Sequence, residues 1–265
     1  MPYADAAGVR IYYEVHGEGP TVVFIHGSGG HHAAWWQQVP TLSRAYSVIT
    51  LDLRGFGKST AELDEFDSLA FPDDILAVLD DAGVERAVLV GQSIGASAAL
   101  KVAMRDPERI AGVVLAHSLG GIDHAELAAL VKADRAKAEQ IPVLDRLMSK
   151  PFQTSQPELT FLFRQMGTFN AAKMADLRNL TAGGPTLEEV KDSGVPICFL
   201  TGENDAVLTP GTVRQAHELL PGSALDIVPG APHSMYWEAP RLFNAALERF
   251  LQTVYAPDLV ATGEE

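Results

Sequence analysis

The stretch Val88-Leu89-Val90-Gly91-Gln92-Ser93-Ile94-Gly95-Ala96 decides how this chain folds. An apolar run from Ala87 to Val90, rich in β-branched residues, halts at a glycine. One serine follows, and helical spacing then runs through Leu100, Val102, Ala103 and Met104. This pattern predicts a strand turning sharply into a helix, with Ser93 at the apex of a G-x-S-x-G turn. The apex of such a turn is strained and needs small neighbours on both sides so that strand and helix can pass closely; Gly91, Gly95 and Ala96 supply them. The turn pushes the Ser93 hydroxyl out of the sheet. It also places the Ile94 N–H at a helix N-terminus, where the dipole favours developing negative charge. A plain strand–helix turn with the serine as N-cap is the competing reading.

Outward from this turn the chain alternates. Val9 to Val15 reads as a strand and Thr21 to Ile25 as a second, apolar enough to be buried on both faces. The latter ends in the glycine-rich loop His26-Gly27-Ser28-Gly29-Gly30. A helix is predicted over 35–42, a strand over 46–51, a helix over 71–82 closing at Gly83, and a strand over 110–115. Between Gly120 and Ser193 the strand signal disappears and helical stretches are predicted at 124–139, 142–149, 157–168 and 170–180, punctuated by Pro151, Pro157, Gly183, Gly184 and Pro185. The alternation resumes with strand 195–200, helix 210–220, strand 223–228 and helix 239–254. Residues 256–265 read as a frayed acidic tail. Strands alternating with helices imply an α/β fold whose mostly parallel sheet is covered on both faces. The helical insertion would then sit over the carboxyl ends of the strands, where such folds bind ligands.

Composition narrows the function. A formal net charge of −14 would repel phosphate backbones, so no nucleic-acid partner is expected. Cys198 is the only cysteine and lies in the apolar run Pro196-Ile197-Cys198-Phe199-Leu200, so it forms no internal disulfide and reads as a buried, inert thiol. The chain runs from Met1 almost directly into a strand pattern and carries no apolar run of membrane-spanning length. A cytoplasmic protein with no membrane partner is the expectation, with a homodimer left open.

A serine hydroxyl is a weak nucleophile and needs a base, which in turn needs an orienting carboxylate. In the elbow arrangement the order along the chain is nucleophile, acid, histidine. Ser93 is followed by Asp205, just past strand 195–200, and by His233, just past strand 223–228. All three lie beyond the carboxyl end of a predicted strand. Asp123, after strand 110–115, competes for the acid's role, whereas Asp226 lies inside a strand. Donors for an oxyanion are the Ile94 N–H and, from the loop after strand 21–25, the Ser28 N–H, with His26 supporting that loop from behind. His26, His31 and His32 cluster in sequence, but no acidic or cysteine partner sits at ligand spacing, so no metal is expected. Nor is a cofactor. The loop fails the dinucleotide fingerprint, because position 32 is His rather than Gly, and no Walker-type sequence occurs.

With these residues in place the chain resembles an α/β-hydrolase-fold serine hydrolase of the esterase or lactonase kind. The matching pieces are His26-Gly27 with the glycines after it, Trp36, Asp52-x-Arg54-Gly55-x-Gly57-x-Ser59, the elbow, Gly202-x-x-Asp205, and His233 followed by Glu238-x-Pro240. The resemblance implies an eight-stranded sheet with its second strand antiparallel. It also implies a core of residues 1–119 and 194–255, a helical cap at 120–193, and catalytic roles for Ser93, Asp205, His233 and the Ser28 and Ile94 amides. The expected substrate is a small ester or lactone, and the Phe and Met residues of the insertion suggest an apolar one. Ring-cleavage dienoate hydrolases of this family typically place Asn before the nucleophile and Trp after the histidine; here Gln92 and Ser234 stand there. A carbon–carbon bond hydrolase and a non-catalytic receptor remain the alternatives.

Overall fold

Eight strands carry the fold: β1 (Tyr3–Ala6), β2 (Val9–His16), β3 (Thr21–Ile25), β4 (Ser47–Leu51), β5 (Ala87–Gln92), β6 (Ile110–Ala116), β7 (Ile197–Gly202) and β8 (Ala224–Val228). In this computed structural model, which describes residues 2–171 and 173–261 with side chains to residue 256, they form one sheet in the order β1-β2-β4-β3-β5-β6-β7-β8. β2 pairs antiparallel with both β1 and β4, and every other pairing is parallel. β5 and β6 are buried along their whole length, as the central strands of a sheet covered on both faces must be.

Alternation along each strand divides the core in two. Val23, Ile25, Leu89, Val113, Leu115 and Phe199 face one side, where they meet α2 (Phe71–Asp81), α3 (Ile94–Arg105) and α9 (Pro210–Leu219). Val22, Phe24, Val88, Val90, Val114 and Cys198 face the other, where they meet Trp35, the short α1 (Val39–Leu42) and the long α11 (Pro240–Ala261). Burial pushes the Cys198 thiol up to about 12, so it stays protonated and unreactive.

Between β6 and β7 lie α4 (Ala125–Ala138), α5 (Val143–Leu147), α6 (Lys150–Ser155), α7 (Pro157–Met166) and α8 (Leu187–Asp192), and none of the sheet's strands. The two ends of this insertion meet. Asp123 N–H donates to Pro185 O at 2.8 Å, and a Cβ on Gly184 would lie 1.8 Å from Gly121 O, so the chain leaves and re-enters the core through a tight neck. A further short helix, α10 (Met235–Glu238), binds the insertion to the core. Glu238 accepts from Ser149 N–H at 2.8 Å and from its hydroxyl at 2.5 Å, and Ser234 N–H donates to Leu147 O at 2.9 Å.

The structure departs from the sequence expectations in particular places. β1 is additional; its hairpin turns through Ala7 and Gly8, both at positive φ. The helix expected over 170–180 is replaced by a single 3₁₀ turn, Met174–Asp176, because the backbone of Arg178 is engaged elsewhere: it exchanges hydrogen bonds with Phe66 O and Ser68 N. α6 and α8 are also additional. Ser149 caps α6 and a Thr186–Glu189 capping box opens α8. α11 runs to Ala261, past the expected boundary at 255, and the rest of the expected tail, 262–265, lies outside the described residues. No helix among the described residues is long and apolar enough to cross a membrane.

Backbone also packs closely where α3 leaves β5. A Cβ on Gly95 would stand 2.5 Å from Ile25 O and 2.7 Å from His26 O, both backbone atoms that cannot swing away. Gly95→Ala should therefore cost about 1–3 kcal/mol, as overpacking in a dense interior does, and lower the melting temperature by several degrees in a thermal denaturation measurement. An unchanged midpoint would mean that helix and strand can separate there without loss.

Candidate active site

Ser93 stands between β5 and α3 at φ 52° and ψ −112°, a conformation that only surrounding structure can enforce on a residue with a side chain. The enforcement is visible on both flanks. A Cβ on Gly91 would lie 2.4 Å from Ala96 Cα, and Gly95 is pressed on β3 as described. Ser93 N–H is fixed to Ala116 O at 3.0 Å. Its side chain caps nothing, so the residue is not an ordinary helix N-cap.

Asp205 and His233 come together because two loops are sewn to each other. A Cβ on Gly202 would lie 2.1 Å from Ala231 O, so the loops after β7 and β8 touch only because residue 202 is glycine. Glu203 N–H donates to Val228 O and Asn204 N–H to Ala231 O, each at 2.9 Å. His233 Nδ1 then lies 3.0 Å from Asp205 Oδ1 and 2.9 Å from Oδ2. Val207 and Leu208 donate backbone N–H groups to Oδ1 at 2.8 and 3.0 Å. Burial works against the Asp205 charge, but His233, His117 and their hydrogen bonds outweigh it and hold the carboxyl well below the usual range. Asp123 lines a nearby cavity, but among the described residues it makes no hydrogen bond to His233.

Two cavities meet at Ser93 and His233. One, of about 630 Å³, is lined by Ser28, Gln92, Val143, Leu144, Phe163 and Tyr236; the other, of about 690 Å³, by Ile94, His117, Leu119, Ile122, Leu127 and Val131. Ser28 borders the first and Ile94 the second, and Ile94 is the first residue of α3, where a backbone N–H has no intrahelical partner. Among the described residues Ser93 Oγ has no hydrogen bond. Instead His233 Nε2 lies 3.4 Å from Gln92 Nε2, a separation at the loose end of hydrogen bonding.

One residue of this cluster lies outside the sequence reading. His117 follows β6 and places Nδ1 2.9 Å from Asp205 Oδ2, so two imidazoles share one buried carboxylate. A histidine directly after an apolar strand, at the same edge as the elbow, was the available signal.

The sheet order, the reversed β2 and the elbow together define one architecture, and the model of the α/β-hydrolase fold matches residues 20–240. The chain belongs to the α/β-hydrolase family. Among its relatives is the dihydrolipoyllysine-residue acetyltransferase component of the acetoin cleaving system of Cupriavidus necator, 28% identical over 259 residues, 94% of this chain and 68% of that one. An N-acyl homoserine lactone degrading enzyme, Est816, superposes with a TM-score of 0.76 at 26% identity, over 94% of this chain and 100% of that one. A thermophilic esterase from Thermogutta terrifontis superposes with a TM-score of 0.79 at 24% identity, over 96% and 98% of the two chains, a likeness of fold.

In this α/β hydrolase the histidines after β3 have an acidic neighbour that spacing in sequence did not offer. Folding brings Asp52 to His31 and His32. Asp52 uses its oxygens on N–H donors: His32 N at 2.5 Å and His32 Nδ1 at 2.8 Å on Oδ1, and Lys58 N at 2.8 Å on Oδ2. That donor set makes the cluster a hydrogen-bonded brace between two loops. His26 stands apart, its Nδ1 donating to Gly27 O at 2.8 Å and its Nε2 accepting from Leu53 N–H at 3.1 Å. It ties the loop that carries Ser28 to the loop after β4.

Full burial pushes His26 down from 6.5 to about 4, so the folded protein holds it neutral while the unfolded chain protonates near pH 6.5. The folded pKa is the lower one, so this contribution to stability is complete above about pH 6.5 and is lost as the pH falls toward 4. Between pH 7.5 and 5 the wild-type protein should lose about 2 kcal/mol more than His26→Gln, which cannot titrate, in urea denaturation. Equal losses would place the proton elsewhere.

Proposed function

We propose that this α/β hydrolase is a serine hydrolase that cleaves a carboxylic ester or lactone of a small, largely apolar substrate through an acyl-enzyme intermediate. The observation that carries this reading is Ser93, held in strained backbone at the junction of two cavities, beside a histidine bonded to a buried, ionised aspartate. The two cavities accommodate the two sides of a scissile carbonyl; the first has mostly apolar walls and the second mixes Leu119, Ile122, Leu127 and Val131 with charged residues.

His233, oriented through Nδ1 by Asp205, presents Nε2 toward the serine side. On substrate binding Gln92 yields Nε2 to Ser93, a tightening that free enzymes of this kind commonly require. Ser93 Oγ attacks the carbonyl carbon while its proton passes to His233 Nε2. The carbonyl oxygen becomes an oxyanion facing the Ile94 and Ser28 N–H groups. Collapse of the tetrahedral intermediate expels the alkoxide, which takes the proton from His233 and leaves as alcohol. Water then repeats the sequence on the acyl-enzyme, returning Ser93 and releasing the acid. Asp205 stays ionised and moves no proton.

An ester or lactone is favoured over a carbon–carbon bond by the residues beside the triad. The positions where dienoate hydrolases of this family carry Asn and Trp hold Gln92 and Ser234, and Ser234 is occupied in docking the insertion. The lactone-degrading relative at 26% identity points the same way.

Comparison of kcat/KM for medium-chain esters, acyl lactones and a ring-cleavage dienoate tests the bond type. Esters or lactones should be preferred; a dienoate favoured by more than about 100-fold, nearly 3 kcal/mol of transition-state preference, would overturn it. Turnover of no substrate in the panel would favour a receptor. Asp205→Asn should lower kcat by about 10³–10⁴-fold, while Asp123→Asn stays within a few-fold. The reverse ranking would move the acid to the loop after β6. EDTA should leave the rate unchanged, and loss restored by a divalent metal would point to a metal at His31, His32 and Asp52 or at His117, Asp205 and His233.

A further inference from the structure

We propose that His117 is a positioning residue of this site: it holds Asp205 Oδ2, the oxygen that His233 also bonds, and thereby fixes the carboxylate that orients the catalytic base. The proposal rests on reading Ser93, His233 and Asp205 as the reacting group.

Several observations converge on His117. It is the first residue beyond β6, tied by its N–H to Leu200 O at 2.8 Å, and it adopts φ 55°, a region that residues with a Cβ enter only under constraint. Its side chain is fully buried, as is that of Asp205. Nδ1 meets Asp205 Oδ2 at 2.9 Å, and the ring stands 5.2 Å from the His233 ring. Its Nε2 is buried with no hydrogen-bond partner among the described residues, so the bond to Asp205 is what holds the ring.

The protonation state follows from that geometry. Facing an ionised carboxylate, Nδ1 carries the proton and Nε2 does not. Burial, working against the attraction of Asp205, lowers the His117 pKa and keeps the ring neutral. His117 is thus a donor without charge. When His233 takes the Ser93 proton, Asp205 faces one imidazolium and one neutral ring, avoiding the repulsion of two cations on one carboxylate. No proton moves through His117.

The clamp matters because Oδ2 is otherwise weakly held. Oδ1 has two backbone donors, but apart from the histidines Oδ2 has only Thr201 Oγ1 at 3.4 Å. Without His117 the carboxylate can rotate and lose its two-oxygen contact with His233 Nδ1. The titratable groups facing His117 are Asp205 and His233; Asp123, Lys132 and Arg135 of α4, and Glu139 just past its end line the cavity beside it.

Two substitutions separate the bond from the volume. His117→Gly accepts the positive φ and removes the donor. His117→Asn also tolerates that φ and can place its amide N–H near the position of Nδ1. With a p-nitrophenyl ester, His117→Gly should lower kcat by about tenfold or more, with KM held within about threefold. The pH profile of its kcat/KM should depart from that of the wild type. His117→Asn should restore both. Wild-type kcat and pH profile in His117→Gly, or equal impairment in the two variants, would overturn the proposal. Proton NMR gives a reading independent of turnover: the wild type should show two downfield imidazole N–H signals, and His117→Asn should remove one and shift the other. A single signal in the wild type contradicts the clamp even if Ser93 is the nucleophile. Retention of both signals in a protein that needs no Ser93 for turnover would instead fault the catalytic reading.

Discussion

A missing side chain at residue 95 and two backbone carbonyls set the geometry on which the rest of this protein depends. Because Gly95 has no Cβ, α3 can leave β5 while pressed against Ile25 O and His26 O at the end of β3. At that junction Ser93 holds positive φ and borders both cavities. The Gly95 contact brings the first turn of α3 beside the loop that carries Ser28. One steric contact thereby sets the proposed nucleophile and two backbone N–H groups in a common frame. The loop itself is held by His26, whose two ring nitrogens bond backbone on either side, and by the Asp52 brace behind it.

The other half of the site depends on Gly202 in the same way. Contact between the loops after β7 and β8 places Asp205 under His233, and the carboxylate then collects donors from five residues: two backbone amides, one hydroxyl and two imidazoles. A buried carboxylate remains ionised only when so surrounded. The polypeptide just beyond His233 has a second use, because Ser234 and Glu238 bond the helical insertion. His233 and the wall of the cavity above it are thus joined by hydrogen bonds through Ser234 and Glu238.

Local patterns exposed most of this to sequence reading. The elbow, the fully buried strands and the loop positions of Asp205 and His233 are written in short stretches whose periodicity and small residues have direct steric meaning. What stayed hidden depends on distant partners. β1 is four residues long and turns through Ala7-Gly8, without the Asn-Gly or Asp-Gly signal of a tight hairpin. Residues 170–180 have helical spacing, but Arg178 finds backbone partners at 66 and 68 that no local pattern announces. Asp52 reaches His32 across twenty residues of sequence. His117 stands at the informative edge, yet its bond to Asp205 spans 88 positions and its positive φ leaves no mark in composition. Gln92 was legible as a neighbour of the serine, but not as a partner of His233 Nε2.

Two cavities share one serine and one histidine, an arrangement that fits the acyl transfer proposed for this site, with room for both sides of the bond to be cut. The chemistry assigned to them rests on Ser93 becoming covalently bonded. Treatment with a fluorophosphonate followed by intact-protein mass spectrometry and peptide mapping measures this directly. One adduct per chain, located on Ser93 and absent from Ser93→Ala, is the expected result. An adduct that persists in Ser93→Ala, or turnover in that variant close to wild type, would contradict it.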